Sequence, residues 1–480
     1  MRWRIAGILT FIILSFLFPQ EAVTQSDSVT NTIYFGYDYH PEALVYNPSS
    51  NKVYCANYLS DRSINRVAII DGDSDSLITR VTVGRFPWDL AYNSKDNRIY
   101  CANNEANTLT VIDGVFNSII TTIPVEGYPD ALAYNFSDNK IYCANRGDFT
   151  VSIIDGFTNG VIKEITVGDS PQALIYNPVS NKIYCANDSS DDVSVIDGTL
   201  DTLVATIPCG DRPLALACNF KDNKIYCANF KSHNLTVING VTDGVITTVP
   251  VGGYPCALAY NFSDNKIYCA NASSNNVAII NCETDQVIKA VSTGLTPEAL
   301  VYNPQNNRIY CANYNGNSVS VIDGKTDDVL NTLPVKKWPK DIVYNSSNNK
   351  VYTANYGDSS VSVISCYPGS DVPDEENEES AQEFLLSQNY PNPFNPTTTI
   401  HYTVLGSQFT VHSSIHTNIT VYNIMGQKVK TLVDEPRRAG KYKIIWDGKD
   451  GCGKEVASGV YLYRIKTKDF LQTKKMLFIR

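Results

Sequence analysis

Seven cysteines recur at one place in a repeated tetrapeptide. Cys55, Cys101, Cys143, Cys185, Cys227, Cys269 and Cys311 each stand in "YCAN", and Thr353 fills the same slot in an eighth copy, "YTAN". Such a series offers disulfides, thiolate metal ligation or packing. Zinc sites use paired C-x-x-C spacings, which these copies lack. A disulfide needs Cα atoms within about 7 Å, whereas equivalent strands of packed sheets lie about 10 Å apart. Threonine neither bridges nor ligates as a thiolate. The series therefore reads as small buried side chains of similar volume. The other six, Cys209, Cys218, Cys256, Cys282, Cys366 and Cys452, leave a bridge among themselves open.

Other reactive types are sparse. Only five histidines occur, and His40 and His233 alone fall in the repeats. That argues against a His-rich metal centre there and leaves little for a His-based triad. No G-x-S-x-G or P-loop appears. "DGDSDS" (71–76) alternates acids as calcium loops do, but it lacks the later Glu and fills a turn that is "DGVFNS" elsewhere. "RGD" (146–148) stands where another copy has "YGD" and reads as a turn. No catalytic residue, metal or cofactor is assigned, and the chain reads as a non-enzyme. Paired carboxylates on one face leave a glycosidase-type alternative.

The elements that hold these residues follow from the repeats. A proline opens each unit, at Pro41, Pro87, Pro129, Pro171, Pro213, Pro255, Pro297 and Pro339, spaced by 46 residues and then by 42. The extra four lie in the loop "YLSDRSINR" (58–66). Unit 129–170 holds four short runs, "ALAYN", "KIYCAN", "VSIID" and "VIKEITV", separated by Asn, Asp and Gly turns. Four strands per unit of about 40 residues predict a propeller blade. The last unit stops after three strands, and "VTNTIYFGYDYHPEAL" (29–44) resembles the missing fourth. The reading is an all-β, eight-bladed β-propeller over 29–366, closed by its N-terminal strand; a seven-bladed ring with a leftover unit is the alternative.

The net charge of −10 argues against nucleic acid. A basic Met1–Arg4 and an apolar run at 5–18 predict a signal peptide over 1–24, cut between Gln20 and Ser26, rather than an uncleaved anchor. No later run is long and apolar enough to span a bilayer. "YPGSDVPDEENEESAQE" (367–383) reads as an acidic linker. Residues 384–480 carry about seven strand-like runs, which predicts a small Ig-like β-sandwich.

Two resemblances extend this reading. "NSVSVIDGKTDDVLNTLPV" followed by "KDIVYNSSNNKVYTANYG" resembles the YVTN β-propeller repeats of surface-layer and exported proteins, with "YCAN" in place of the name-giving tetrapeptide. Asn389, Pro391, Asn392, Pro393 and Phe394 are followed by Trp446 and then by Gly459 and Tyr461. In these residues the C-terminal part is similar to the type A sorting domain of the type IX secretion system and to the related Ig-like domain of flagellar hook-capping proteins. That resemblance implies recognition by an outer-membrane translocon and, with the signal peptide, delivery to the cell surface or the medium.

Comparing units within the chain separates scaffold from specialisation. The first–second turn reads "YNxxxNK" almost throughout, which predicts Asx-type turns at Asn47, Asn93, Asn135 and their equivalents. The fourth–first loops differ: "GRFPWD", "EGYPDA", "GDRPLA", "GGYPCA", "KKWPKD". They offer Arg85, Phe86, Trp88, Asp89, Tyr128, Arg212, Tyr254, Lys336, Lys337, Trp338 and Lys340 as contacts for an extracellular protein or glycan. The expected function is a surface-exposed binding or adhesion module. The alternatives are a polysaccharide lyase or hydrolase with channel-mouth carboxylates, and a structural surface-layer component.

Overall fold

Turn residues cut each repeat into four antiparallel strands. In the third unit these are Pro129–Asn135, Lys140–Asn145, Thr150–Asp155 and Val161–Thr166, hydrogen-bonded in sequence order. They coincide with the four runs read from the sequence. The computed structural model describes residues 26–36, 38–59, 65–367, 385–386, 389, 392, 394–404, 415–437, 440–467 and 471–479. The expected signal peptide, residues 368–383 of the expected linker and the core of the four-residue insertion lie outside them.

Eight four-stranded sheets form the blades. Seven use consecutive strands. The eighth takes Pro339–Asn345, Lys350–Asn355 and Ser360–Ser365, and its outer strand is Ser28–Tyr34, with Ser28 opposite Ser365 and Tyr34 opposite Ser360. The ring thus has eight blades rather than seven, closed by the N-terminal strand. First strands of neighbouring blades pack side by side around the axis, including Tyr39–Asn47 against Pro339–Asn345. The two middle strands are buried almost end to end, as at Ile141–Asn145 and Val151–Ile154, while the outer strand Val161–Thr166 buries only Ile165.

Two polar devices tie the blades together, and a third braces each blade internally. The expected Asx turns form: Asn47 Oδ1 accepts the N–H groups of Ser49 and Ser50 at 3.0 and 3.3 Å. The same residue donates from Nδ2 to Asn97 of the next blade at 2.7 Å, and Asn345 donates to Asn51 at 2.9 Å across the closure. Close approach is needed here. A Cβ on Gly156 would lie 2.6 Å from Asn139 O and 2.7 Å from Asn93 Nδ2, which favours glycine here, and the two units that carry Cys282 and Cys366 instead have a longer backbone bond at this turn, 3.1 Å against 2.8 Å at Gly156.

Second, the base after each turn reaches the next blade. Lys140 Nζ meets Asp201 at 2.7 Å and Lys182 meets Asp243 at 2.6 Å, and the Tyr184 hydroxyl donates to Asp243 at 2.8 Å. Asp75 of "DGDSDS" is one of these partners, bound by Lys350 at 2.7 Å and Tyr352 at 2.5 Å. Third, the YCAN thiols contact the Oδ1 of the Asn two residues on at 3.4–3.7 Å, in all seven copies. That Asn donates onward to the third strand, as Asn145 does to Thr150 and Ser152 at 3.0 and 2.7 Å. All thirteen cysteines are free thiols, and the seven are fully buried.

The C-terminal module stacks a three-stranded sheet (Leu385–Leu386, Thr398–Val404, Gly440–Trp446) on a four-stranded one (Ile415–Asn423, Lys428–Arg437, Gly459–Lys466, Leu471–Phe478). Its core gathers Phe394, Tyr402, Trp446, Tyr461, Tyr463 and Phe478.

Candidate ligand-binding mouth of the channel

The residue before each blade-opening proline adopts a left-handed backbone conformation in seven of the eight units. Among these, φ is 58° at Phe86, 56° at Tyr128, 57° at Arg212, 58° at Tyr254 and 57° at Trp338. Bulky residues rarely sit there. In six of these seven the turn is held by a bond from the N–H to a side chain 21 residues upstream, as from Phe86 to Asn65, Tyr128 to Asn107 and Trp338 to Asn317, each at 3.0 Å. The backbone is therefore scaffold and only the side chain varies. Tyr128, Tyr254 and Trp338 are 53%, 43% and 42% exposed.

Immediately after the prolines, the first strands enclose an open cavity of about 530 Å³ at the channel mouth. The first lining position is chemically mixed, with Glu42, Trp88, Asp130, Gln172, Glu298 and Lys340 among its members. The second is alanine in six blades, and Asp89 and Asp341 in the other two. These two carboxylates bind backbone. Asp89 accepts the N–H of Leu132 in the next blade at 2.7 Å and that of Leu90 at 2.8 Å, and Asp341 does the same with Leu44 and Ile342 at 2.7 and 2.8 Å. Asp89, expected as a contact residue, thus staples blades.

One continuous cluster spans blades seven, eight, one and two. The Lys340 ammonium pairs with the buried Glu42 carboxylate and lies 4.9 Å from the Trp88 ring and 5.1 Å from the Tyr356 ring. Phe86 stacks on Trp88 at 5.3 Å and touches Tyr58 at 4.3 Å. The Tyr58 and Tyr356 hydroxyls are 2.9 Å apart, and His40 lies 4.5 Å from the Tyr356 ring. Trp338 is 6.3 Å from Tyr356 and stacks on Tyr314 at 5.9 Å.

Burial raises the carboxyl pKa values here. Glu298 and Asp89 are pushed up to about 7, and Asp130 and Asp341 to about 6. Glu42 is raised by burial against the pull of Lys340.

The remaining expected residues lie apart from that cluster. Arg212 is held by Asp188 at 2.7 and 3.3 Å, with its guanidinium 5.5 Å from Phe230. Tyr254 stacks on the same Phe230 at 4.6 Å, making a second aromatic group. Arg85 faces Glu105 at 3.8 Å, and Lys336 lies 5.8 Å from the Tyr34 ring on the outer strand of the eighth blade. Sequence reasoning missed Glu42, Tyr58, Tyr314, Tyr356, Asp130 and Glu298. Their signal was available: three follow the blade-opening proline, and three follow "YCAN" or "YTAN" directly.

The described residues of the C-terminal motif make contacts within their own module. Asn389 donates its N–H to the Tyr463 hydroxyl at 2.8 Å, and Asn392 Oδ1 accepts Leu477 N–H at 2.7 Å. Phe394 packs on Phe478 at 5.0 Å and Trp446 at 5.5 Å, and Tyr461 meets Trp446 at 5.2 Å. Gly459 opens the strand that carries Tyr461, and Pro391 and Pro393 lie outside the described residues.

Residues 399–469 match the FlgD Ig-like domain. No curated protein matches the chain. Among solved structures, Kuenenia stuttgartiensis hydrazine synthase is similar at 17% identity with a TM-score of 0.50, over 59% of this chain and 96% of that one. At that identity the likeness concerns the fold alone. The chain thus joins a propeller-like ring of repeated sheets to a C-terminal FlgD Ig-like domain.

Proposed function

We propose that the propeller is a binding module of an exported protein and that its ligand, an extracellular protein or glycan, docks on the channel mouth between blades seven and two. The observation that carries this reading is the aromatic arc from Tyr314 and Trp338 through Tyr356 and Tyr58 to Phe86 and Trp88, set beside the Lys340–Glu42 pair. Aromatic rings next to charges suit sugar faces and protein hot spots. Export is supported by the basic-then-apolar start of the chain, and the YVTN resemblance of the repeats fits a surface location. The motif residues shared with type A sorting domains support delivery by a type IX translocon, which would be the partner of the C-terminal module.

The test is a glycan and protein array probed with the purified protein, followed by Trp88→Ala and Trp338→Ala. Retained affinity in both variants, with folding intact, overturns the site. A second reading, an enzyme acting on polysaccharide, draws on Glu298 and Asp130, whose raised pKa values suit proton transfer near neutral pH. Turnover lost in Glu298→Gln and Asp130→Asn would favour it.

A further inference from the structure

The residue four positions before the blade-opening proline is Val83, Val125, Val167, Val251 or Val335 in five units, Thr293 in another and Tyr37, outside the described residues, before Pro41. In one unit it is Cys209. In five of these units the residue belongs to the hydrophobic cluster that holds the YCAN cysteine of the next blade. Val83 joins the cluster that holds Cys101, Val125 that of Cys143, Val167 that of Cys185 and Val251 that of Cys269. Cys209 joins the cluster that holds Cys227. The internal repeat therefore sets a thiol against a thiol at one boundary, between the fourth and fifth blades. That boundary lies opposite the one between the eighth and the first.

We propose that Cys209 and Cys227 are a redox pair that closes into a disulfide and staples the fourth blade to the fifth. Cys209 follows the strand Thr202–Pro208 and is half-buried, whereas Cys227 is fully buried on Lys224–Asn229. A small disulfide from solvent thus meets Cys209 first. The Cys209 thiol gives its proton to solvent, its sulfur attacks one sulfur of the small disulfide, and one small thiolate leaves. The Cys227 thiol then loses its proton and attacks the Cys209 sulfur, expelling the second small thiolate. Two protein thiols lose two electrons, and the small disulfide becomes two thiols. Contact with Cys209 and burial hold the Cys227 thiol well above its usual pKa, so closure is slow and speeds up with pH. The bridge fixes the base of the loop that carries Arg212 at the variable face.

The test incubates the purified protein with oxidised glutathione, unfolds it without reductant and counts free thiols. Of thirteen cysteines, eleven free thiols are expected, with a mass two hydrogens lower and a cross-linked peptide pair containing residues 209 and 227. Cys209→Val restores the residue common at this position, and Cys227→Thr copies the eighth blade. Each should keep all twelve remaining thiols free. Thirteen free thiols in the wild type overturn the proposal. So does a two-thiol loss that persists in both variants, or a stable glutathione adduct on Cys209 that Cys227 does not resolve.

Discussion

Asp27 meets Arg308 at 2.8 Å although 281 residues separate them. Asp27 also accepts the Tyr310 hydroxyl at 2.7 Å and the Tyr367 N–H at 2.8 Å. It thus supplies, from the start of the chain, the carboxylate that Asp201, Asp243 and Asp285 supply inside the ring. The pair is nearly dry, with side-chain exposures of 11% and 2%.

Asp27→Ala should lower stability by about 3 kcal/mol, because it strands a buried guanidinium. Denaturant unfolding measures this. A midpoint equal to that of wild type would mean that ring closure does not depend on this contact.

Lys340→Met should destabilise by about 2 kcal/mol, since it leaves the Glu42 carboxyl buried without its cation. Adding Glu42→Gln should recover most of the loss. A double-mutant cycle reads the coupling, and additive effects would dissolve the pair as an energetic unit.

Stability should fall as pH rises from about 4.5 to about 7. Glu298 has its folded pKa raised to about 7 from 4.5 by burial. In that window the native state holds a proton that the unfolded chain has released, so rising pH favours unfolding, and the effect levels off above pH 7. Glu298→Gln should flatten part of the slope in denaturant midpoints taken across pH 4.5–8.

Cys185→Thr should cost less than about 1.5 kcal/mol, because Thr353 already occupies the equivalent fully buried slot. Thermal unfolding checks it. Collapse of the fold would show that the thiol-to-Asn187 contact at 3.4 Å matters more than volume.

The ring was legible because its signals are local and repeated. Proline spacing counted the blades, and the missing fourth strand after Ser365 matched the extra one at Ser28–Tyr34. The scaffold role of Asn47 was equally plain. The interblade role of Asp75 was not, because its partner Lys350 is 275 residues away and no local pattern links them. The mouth was half legible. Comparing loops found Phe86, Trp88, Trp338 and Lys340. It overlooked Tyr58 and Tyr356, which reach the same cluster from the end of a second strand and from a second–third connection. It also took Asp89 for a contact, where backbone N–H groups engage both its carboxylate oxygens.

The pairing of Ser28–Tyr34 with Ser360–Ser365 sets an order in time. A chain that emerges N-terminus first releases this strand before any blade, yet its partner comes last. Until then the strand has an open edge, and the eighth blade cannot be completed. Loop closure over more than 300 residues is slow. The early strand is therefore the segment a holding chaperone has most reason to cover, and the last repeat decides when the whole ring becomes stable.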